Sequence, residues 1–169
     1  SAFTPSWDDP STRIVGGSQV NIENHPYQNY LEVRWGGLEG ACGGTFLTRQ
    51  WILTAAHCTE VDPYGNGNYY DIHEMFIGYG KSSLSSLDGN SIAEMSYFVR
   101  HPSYNRITVE NDIALVRLTE QVPLSKIGTL PLFDLGELAN NTPTFATGWG
   151  HTSSSGSGSD HLRGVGLFV

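Results

Sequence analysis

The chain has 169 residues, of which 38% are hydrophobic and 15% are charged, with 20 glycines and 8 prolines, a composition typical of a loop-rich globular protein rather than a coiled coil or a disordered chain. The formal net charge of −8 disfavours binding to nucleic-acid phosphates. No apolar run approaches the roughly 20 residues of a membrane-spanning helix, so we expect neither nucleic acid nor a membrane among the partners.

Short apolar runs follow one another along the chain and predict strands. Residues 1–13 come first, without the basic start and apolar core of a signal peptide. In the segment 30–35 apolar and polar residues alternate, which predicts a half-buried strand that ends at Gly36-Gly37. Further strands are predicted at 45–47, 51–54, 75–77, 94–100, 113–118, 144–149 and 164–169. Many short strands separated by glycine- and proline-rich connections favour an antiparallel barrel or sandwich.

The last three residues, Leu167-Phe168-Val169, are all apolar. Chain termini normally lie in solvent. We therefore expect the last predicted strand to continue in a segment that this sequence does not include.

The two cysteines, Cys42 and Cys58, could close one disulfide. A loop of about 15 residues closed in this way contributes on the order of 3 kcal/mol to stability. The alternative is a pair of free buried thiols in a cytosolic protein, and the composition does not decide between the two.

A histidine ends one of the apolar runs. Trp51-Ile52-Leu53 continues through two alanines and stops at His57 beside Cys58. An imidazole titrates near neutrality, so His57 is a candidate general base. A structural histidine is the alternative, and it is the default for a histidine considered alone.

An aspartate precedes another apolar run. Asp112 stands directly before Ile113-Ala114-Leu115, so its carboxylate should be drawn toward the interior, where it needs hydrogen bonds or a cation. A catalytic histidine needs such an acid to fix its tautomer. The alternative for Asp112 is a polar residue that caps a turn.

Five motif regions occur in chain order. They are RIVGG at 13–17, CGGT at 42–45, TAAHC at 54–58, HPSYN at 101–105 with NDIAL at 111–115, and TGWG at 147–150. In this order and at these spacings they resemble the trypsin/chymotrypsin family of serine endopeptidases, and the resemblance covers residues 14–169. It implies an all-β fold of two antiparallel barrels, with the first complete at about 14–120 and the second only partly present at about 121–169.

The resemblance also implies roles for the residues above. His57 would take a proton from the nucleophile and Asp112 would orient it. Cys42 and Cys58 would form a disulfide that holds the turn carrying His57, and a disulfide implies a secreted, extracellular protein. The substrates would be polypeptides, with no cofactor.

The resemblance further implies a nucleophile that the sequence lacks. The family's catalytic serine lies in a Gly-Asp-Ser-Gly-Gly-Pro motif, and no such string occurs in the chain. We expect the serine to lie outside these 169 residues, in a continuation or on a separate polypeptide, and we expect the chain alone to be inactive. The alternative is a non-catalytic homologue that acts as a binding or regulatory module, although such a module has no need to keep His57 and Asp112.

The same resemblance implies that residues 1–13 are a propeptide. Cleavage between Arg13 and Ile14 would activate the precursor, and an arginine at this position implies a trypsin-like activating protease.

Two further positions are predicted on weaker patterns. The resemblance places Val109, three residues before Asp112, in the S2 substrate subsite. Asn140 begins an N-x-T glycosylation signal that the following Pro143 weakens. The histidines show no zinc-ligand spacing, and the loop after Gly78 offers no carboxylates at its start, so we expect no metal.

Overall fold

The structure, a computed structural model, describes residues 17–130, 136, 138–150 and 158–168. The strands in these ranges are β1 (Ser18–Gln19), β2 (Gln28–Trp35), β3 (Leu38–Phe46), β4 (Trp51–Thr54), β5 (Glu60–Val61), β6 (Tyr70–Asp71), β7 (Glu74–Tyr79), β8 (Ile92–Arg100), β9 (Ala114–Leu118), β10 (Pro143–Gly148) and β11 (Arg163–Phe168). The helical segments in these ranges are short 3-10 turns at Ile22–Asn24, Ala56–Thr59, Leu84–Ser86 and Leu124–Lys126. No helix in the described part of the chain has the length and apolar character needed to cross a membrane.

Six strands close into an antiparallel barrel in the order β2-β3-β4-β9-β8-β7. The first hairpin, β2 to β3, turns through Gly36 and Gly37, whose φ angles are 51° and 89°. A two-residue turn with positive φ at both positions matches the twist of the flanking strands, and glycine adopts it without steric cost. Closure gives every barrel strand a hydrogen-bonded neighbour on both sides.

Alternate residues of the barrel strands point inward and form the main core. Leu31 and Val33 of β2 are buried there, as the alternation at 30–35 predicted. Strand β3 begins seven residues earlier than the predicted start at 45, because the segment from Leu38 to Thr45 pairs with β2. The small residues of this segment give no strand pattern in the sequence, so the strand depends on its partner rather than on its own propensity.

A second sheet has the order β1-β11-β10. Ser18–Gln19 pairs with β11, so this part of the chain joins the second sheet. The division into a first barrel at about 14–120 and a second at about 121–169 stays a prediction. A strand of two residues is too short for the sequence to predict which strand it pairs with. Thr147 Oγ1 donates to Gln28 Oε1 at 2.7 Å, and Trp149 Nε1 donates to the Ser82 carbonyl at 2.9 Å. These bonds connect β10 and the residue shortly after it to β2 and to the loop that follows β7.

Gly44 allows close packing inside the barrel, and its substitution tests that packing. A Cβ at Gly44 would lie 2.4 Å from Asn29 Oδ1 and 2.8 Å from Ile52 Cγ2. We expect Gly44→Ala to lower the free energy of unfolding by about 1–3 kcal/mol, because overpacked cores must shift. Urea denaturation measures the change. Gly166→Ala is the control, since a Cβ there meets no atom within 4 Å; equal effects of the two substitutions would contradict the prediction.

Candidate active site

The pairing of two neighbouring barrel strands brings His57 and Asp112 together. Strands β4 and β9 are antiparallel, and Thr54 at the end of β4 faces Ala114 at the start of β9. His57 follows β4 within the turn Ala56–Thr59, and Asp112 lies just before β9. Because one strand ends where the other begins, both residues lie at the same end of the barrel.

Asp112 makes two hydrogen bonds to His57. The backbone N–H of His57 donates to Oδ1 at 2.8 Å, and the ring nitrogen Nδ1 lies 2.6 Å from Oδ2. The side chain of Asp112 is 19% exposed and that of His57 is 35% exposed. The carboxylate is therefore shielded from water while part of the ring remains accessible.

This geometry determines what the pair can do. A carboxylate beside Nδ1 favours the tautomer in which Nδ1 carries the proton, and Nε2 is then the basic nitrogen. If Nε2 takes up a proton, the imidazolium that forms is stabilised by the carboxylate on the opposite side of the ring. The arrangement can thus accept a proton and release it again.

A disulfide joins Cys58 in the His57 turn to Cys42 in β3. It links residues 16 positions apart, and the Cα atoms are 6.2 Å apart. Thr54 Oγ1 also donates to the Gly43 carbonyl at 2.9 Å, next to the bridge. The turn that carries His57 is therefore fixed to β3 by a covalent bond, and the end of β4 that leads into it is fixed by a hydrogen bond.

A second contact joins the His57 turn to the segment that leads to Asp112, and the sequence does not predict it. Arg100 Nε donates to Thr59 Oγ1 at 2.6 Å, and Arg100 Nη2 donates to the Thr59 carbonyl at 2.8 Å. Thr59 belongs to the His57 turn, whereas Arg100 ends β8 directly before the segment 101–112. In a sequence, an arginine at the end of a strand indicates a solvated surface charge. The contact of Arg100 with Thr59 is therefore seen only in the folded chain.

The segment 101–112 contains two non-glycine residues with positive φ, Val109 at 59° and Asn111 at 55°. Asparagine tolerates this conformation, but for the β-branched valine it costs on the order of 1–3 kcal/mol. Val109 is 54% exposed. Its side chain can therefore be contacted by a ligand, and its role in the S2 subsite stays a prediction.

Of the remaining predicted positions, Asn140 is the one that the structure describes. Asn140 is exposed and lies within a turn closed by a hydrogen bond from the Thr142 backbone N–H to the Ala139 carbonyl. Arg13 and Ile14 lie outside the described residues.

One group of possible metal ligands occurs in the described part of the chain, and it consists of Cys42, His57 and Cys58. Both sulfur atoms belong to the disulfide and do not supply thiolates, the form of cysteine that binds metals.

Comparisons with known proteins identify the family. The sequence model of the family described as Trypsin matches residues 14–167. The chain is 34% identical over 161 residues to "Chymotrypsin-like elastase family member 1" of Homo sapiens, covering 90% of this chain and 58% of that protein. It is 32% identical over 159 residues to "Trypsin" of Phaedon cochleariae, covering 92% of this chain and 57% of that protein. The chain therefore belongs to the trypsin family of serine proteases.

A solved structure supports the fold. The structure described as "Structure of GrC" superposes with a TM-score of 0.78 at 24% identity, covering 92% of this chain and 65% of that one. The predicted all-β, chymotrypsin-like fold is confirmed. The chain spans less than three fifths of the length of the two relatives named above.

Loss of the disulfide tests how the His57 turn is held. We expect reduction of Cys42–Cys58 to speed amide hydrogen exchange at Cys58 by about 10-fold or more, because local opening of the turn becomes easier. The Cys58 N–H donates to the Ala55 carbonyl inside this turn. Exchange at Leu31 in the barrel core is the internal control and should change far less; unchanged exchange at Cys58 would contradict the prediction.

Proposed function

We propose that this chain is the part of a secreted serine endopeptidase precursor that carries the general base and its orienting acid. The observation that supports the proposal is the pair of hydrogen bonds from His57 to Asp112. Membership of the trypsin family supports peptide-bond hydrolysis as the reaction.

In the proposed reaction the proton passes through Nε2 of His57. The ring takes the proton from the hydroxyl of the nucleophilic serine as the serine oxygen forms a bond to the peptide carbonyl carbon. The same proton then passes to the leaving amine when the carbon–nitrogen bond breaks. Water repeats the sequence on the acyl-enzyme and regenerates the serine. Asp112 keeps Nδ1 protonated throughout and stabilises the imidazolium.

The serine belongs to a segment that these 169 residues do not contain, because the family's nucleophile motif is missing from the sequence. We propose that this segment also supplies the backbone donors of the oxyanion hole and the primary specificity pocket, either in a continuation of the chain or as a separate polypeptide. His57 and Asp112 would then act only after the segment has packed against the barrel.

Activation and location follow from the same proposal. A trypsin-like protease cleaves between Arg13 and Ile14 and releases residues 1–13 as a propeptide. The Cys42–Cys58 disulfide supports an oxidising, extracellular compartment, since disulfides rarely persist in the cytosol. The partners are polypeptide substrates and the activating protease.

Active-site labelling tests the proposed function. The protein isolated from its natural source is treated with trypsin, exposed to a fluorophosphonate probe and measured by intact mass. We expect one probe per molecule after treatment, and none on the recombinant 169-residue chain. A natural protein that ends at Val169 and takes up no probe would overturn the proposal in favour of the binding or regulatory module.

Substitution of the proposed pair tests the assigned roles. In the activated natural protein, Asp112→Asn should lower kcat on the order of 10⁴-fold and His57→Ala on the order of 10⁶-fold, the sizes of effect known for such catalytic triads. Glu94→Gln is the control, because it removes one exposed charge on β8. Activity that survives either substitution would remove that residue from the mechanism.

A further inference from the structure

A buried carboxylate lies next to the His57 turn. Glu60 directly follows the turn Ala56–Thr59, and only 3% of its surface is exposed. Burial of an ionised carboxylate is unfavourable unless cations and hydrogen-bond donors surround it. The neighbours of Glu60 are therefore the groups that hold it in place, and none of them belongs to the pair already described.

Two of these neighbours come from the segment that leads to Asp112. The hydroxyl of Tyr104 donates to Glu60 Oε1 at 3.0 Å. Arg106 Nη2 forms an ion pair with Glu60 Oε2 at 2.9 Å. Among the described residues, no donor has the geometry of a hydrogen bond to this oxygen. Arg100 Nη2 lies farther away, at 3.9 Å from Oε2, and it also contacts the exposed Asp71. Glu60 is thus surrounded by two guanidinium groups and a phenol.

The phenol acts as a donor over the whole working range of pH. Burial, followed by the negative charge of Glu60 and the hydrogen bond to it, raises the pKa of Tyr104 well above its usual value. The charge of Asp112 contributes in the same direction, which places Tyr104 in the electric field of both carboxylates. Tyr104 therefore interacts electrostatically with Glu60, which follows the His57 turn, and with Asp112 at the end of its own loop.

Hydrogen bonds across the loop join the two neighbours of Tyr104, Ser103 and Asn105, to the two residues that precede Asp112. The Tyr104 backbone N–H donates to the His101 carbonyl at 3.0 Å. Across the loop, the Asn105 N–H donates to the Glu110 carbonyl at 3.0 Å, and Asn111 Nδ2 donates to the Ser103 carbonyl at 3.0 Å. The backbone on both sides of Tyr104 is therefore bonded to the residues directly before Asp112.

We propose that Glu60 is a positioning residue that fixes the Asp112 loop against the His57 turn through Tyr104 and Arg106. This inference rests on the proposed catalytic role of the His57–Asp112 pair. Glu60 does not touch the imidazole or the substrate in this proposal; it sets the distance between Nδ1 of His57 and the Asp112 carboxylate. Misplacement of catalytic groups by about 1 Å can lower a rate on the order of 100-fold, so such a contact has a large effect on function.

The proton on Nδ1 of His57 is the probe of this proposal. Its NMR signal reports the hydrogen bond to Asp112 directly, and its exchange with water reports how often that bond opens. In the 169-residue chain we expect Glu60→Gln to speed this exchange by about 10-fold or more, because the neutral amide no longer holds Arg106. Tyr104→Phe keeps the ring but removes the hydroxyl donor, and it should act in the same direction.

Controls separate positioning from general damage to the fold. Glu94→Gln removes an exposed charge on β8 and should leave the exchange of the Nδ1 proton unchanged. The amide of Leu31, in the barrel core, should exchange at the wild-type rate in all variants. A variant that also speeds exchange at Leu31 shows only structural damage, and that result would overturn the positioning role.

Asp112→Asn distinguishes failure of this inference from failure of the proposed function. The Nδ1 signal should be present in the wild type and lost in Asp112→Asn. If that holds while Glu60→Gln and Tyr104→Phe leave the exchange rate unchanged, the pair stands and Glu60 has no positioning role. If the wild type shows no such signal, the pair itself is wrong and the role of Glu60 is overturned with it.

Discussion

One carboxylate holds the candidate site together, because Asp112 accepts both the backbone N–H and the ring N–H of the same histidine. A single hydrogen bond to the ring would leave the histidine free to move with its turn. Two bonds from one residue fix the turn and the ring at once, and they do so across two loops that are far apart in the sequence. The antiparallel pairing of β4 with β9 makes this possible, since it places both loops at one end of the barrel.

Two kinds of interaction are separated in space. The barrel is stabilised by apolar packing and by a closed hydrogen-bond ladder, with Leu31, Val33 and Ile77 fully enclosed. The loops at its end are held by the polar contacts of Arg100 with Thr59 and by the covalent Cys42–Cys58 bond. Apolar packing tolerates few changes of shape, whereas a polar contact depends on a small number of atoms. The loops can therefore be adjusted one contact at a time without rebuilding the core.

The sequence predicted the parts of the fold that depend on local pattern or on a dense motif. Alternation gave β2, and TAAHC with NDIAL gave His57 and Asp112 as a candidate pair before any geometry was known. It did not predict the length of β3, whose small residues become a strand only because β2 pairs with them. It also missed Glu60, which looks like an ordinary surface acid until the loop carrying Tyr104 folds over it. Contacts between distant loops leave no periodic signal, so they lie beyond this kind of prediction.

The second sheet differs from the barrel in one respect that concerns how the protein behaves in solution. Among the described residues, β1 and β10 are its outer strands and each pairs on one side only. Phe145 on β10 is 55% exposed and Phe168 on β11 is 75% exposed. An open strand edge with apolar side chains nearby is a template for another chain. In the described part of the chain, the edge of β10 is therefore where a further strand could pair, at a distance in the fold from the polar contacts that hold the His57 turn.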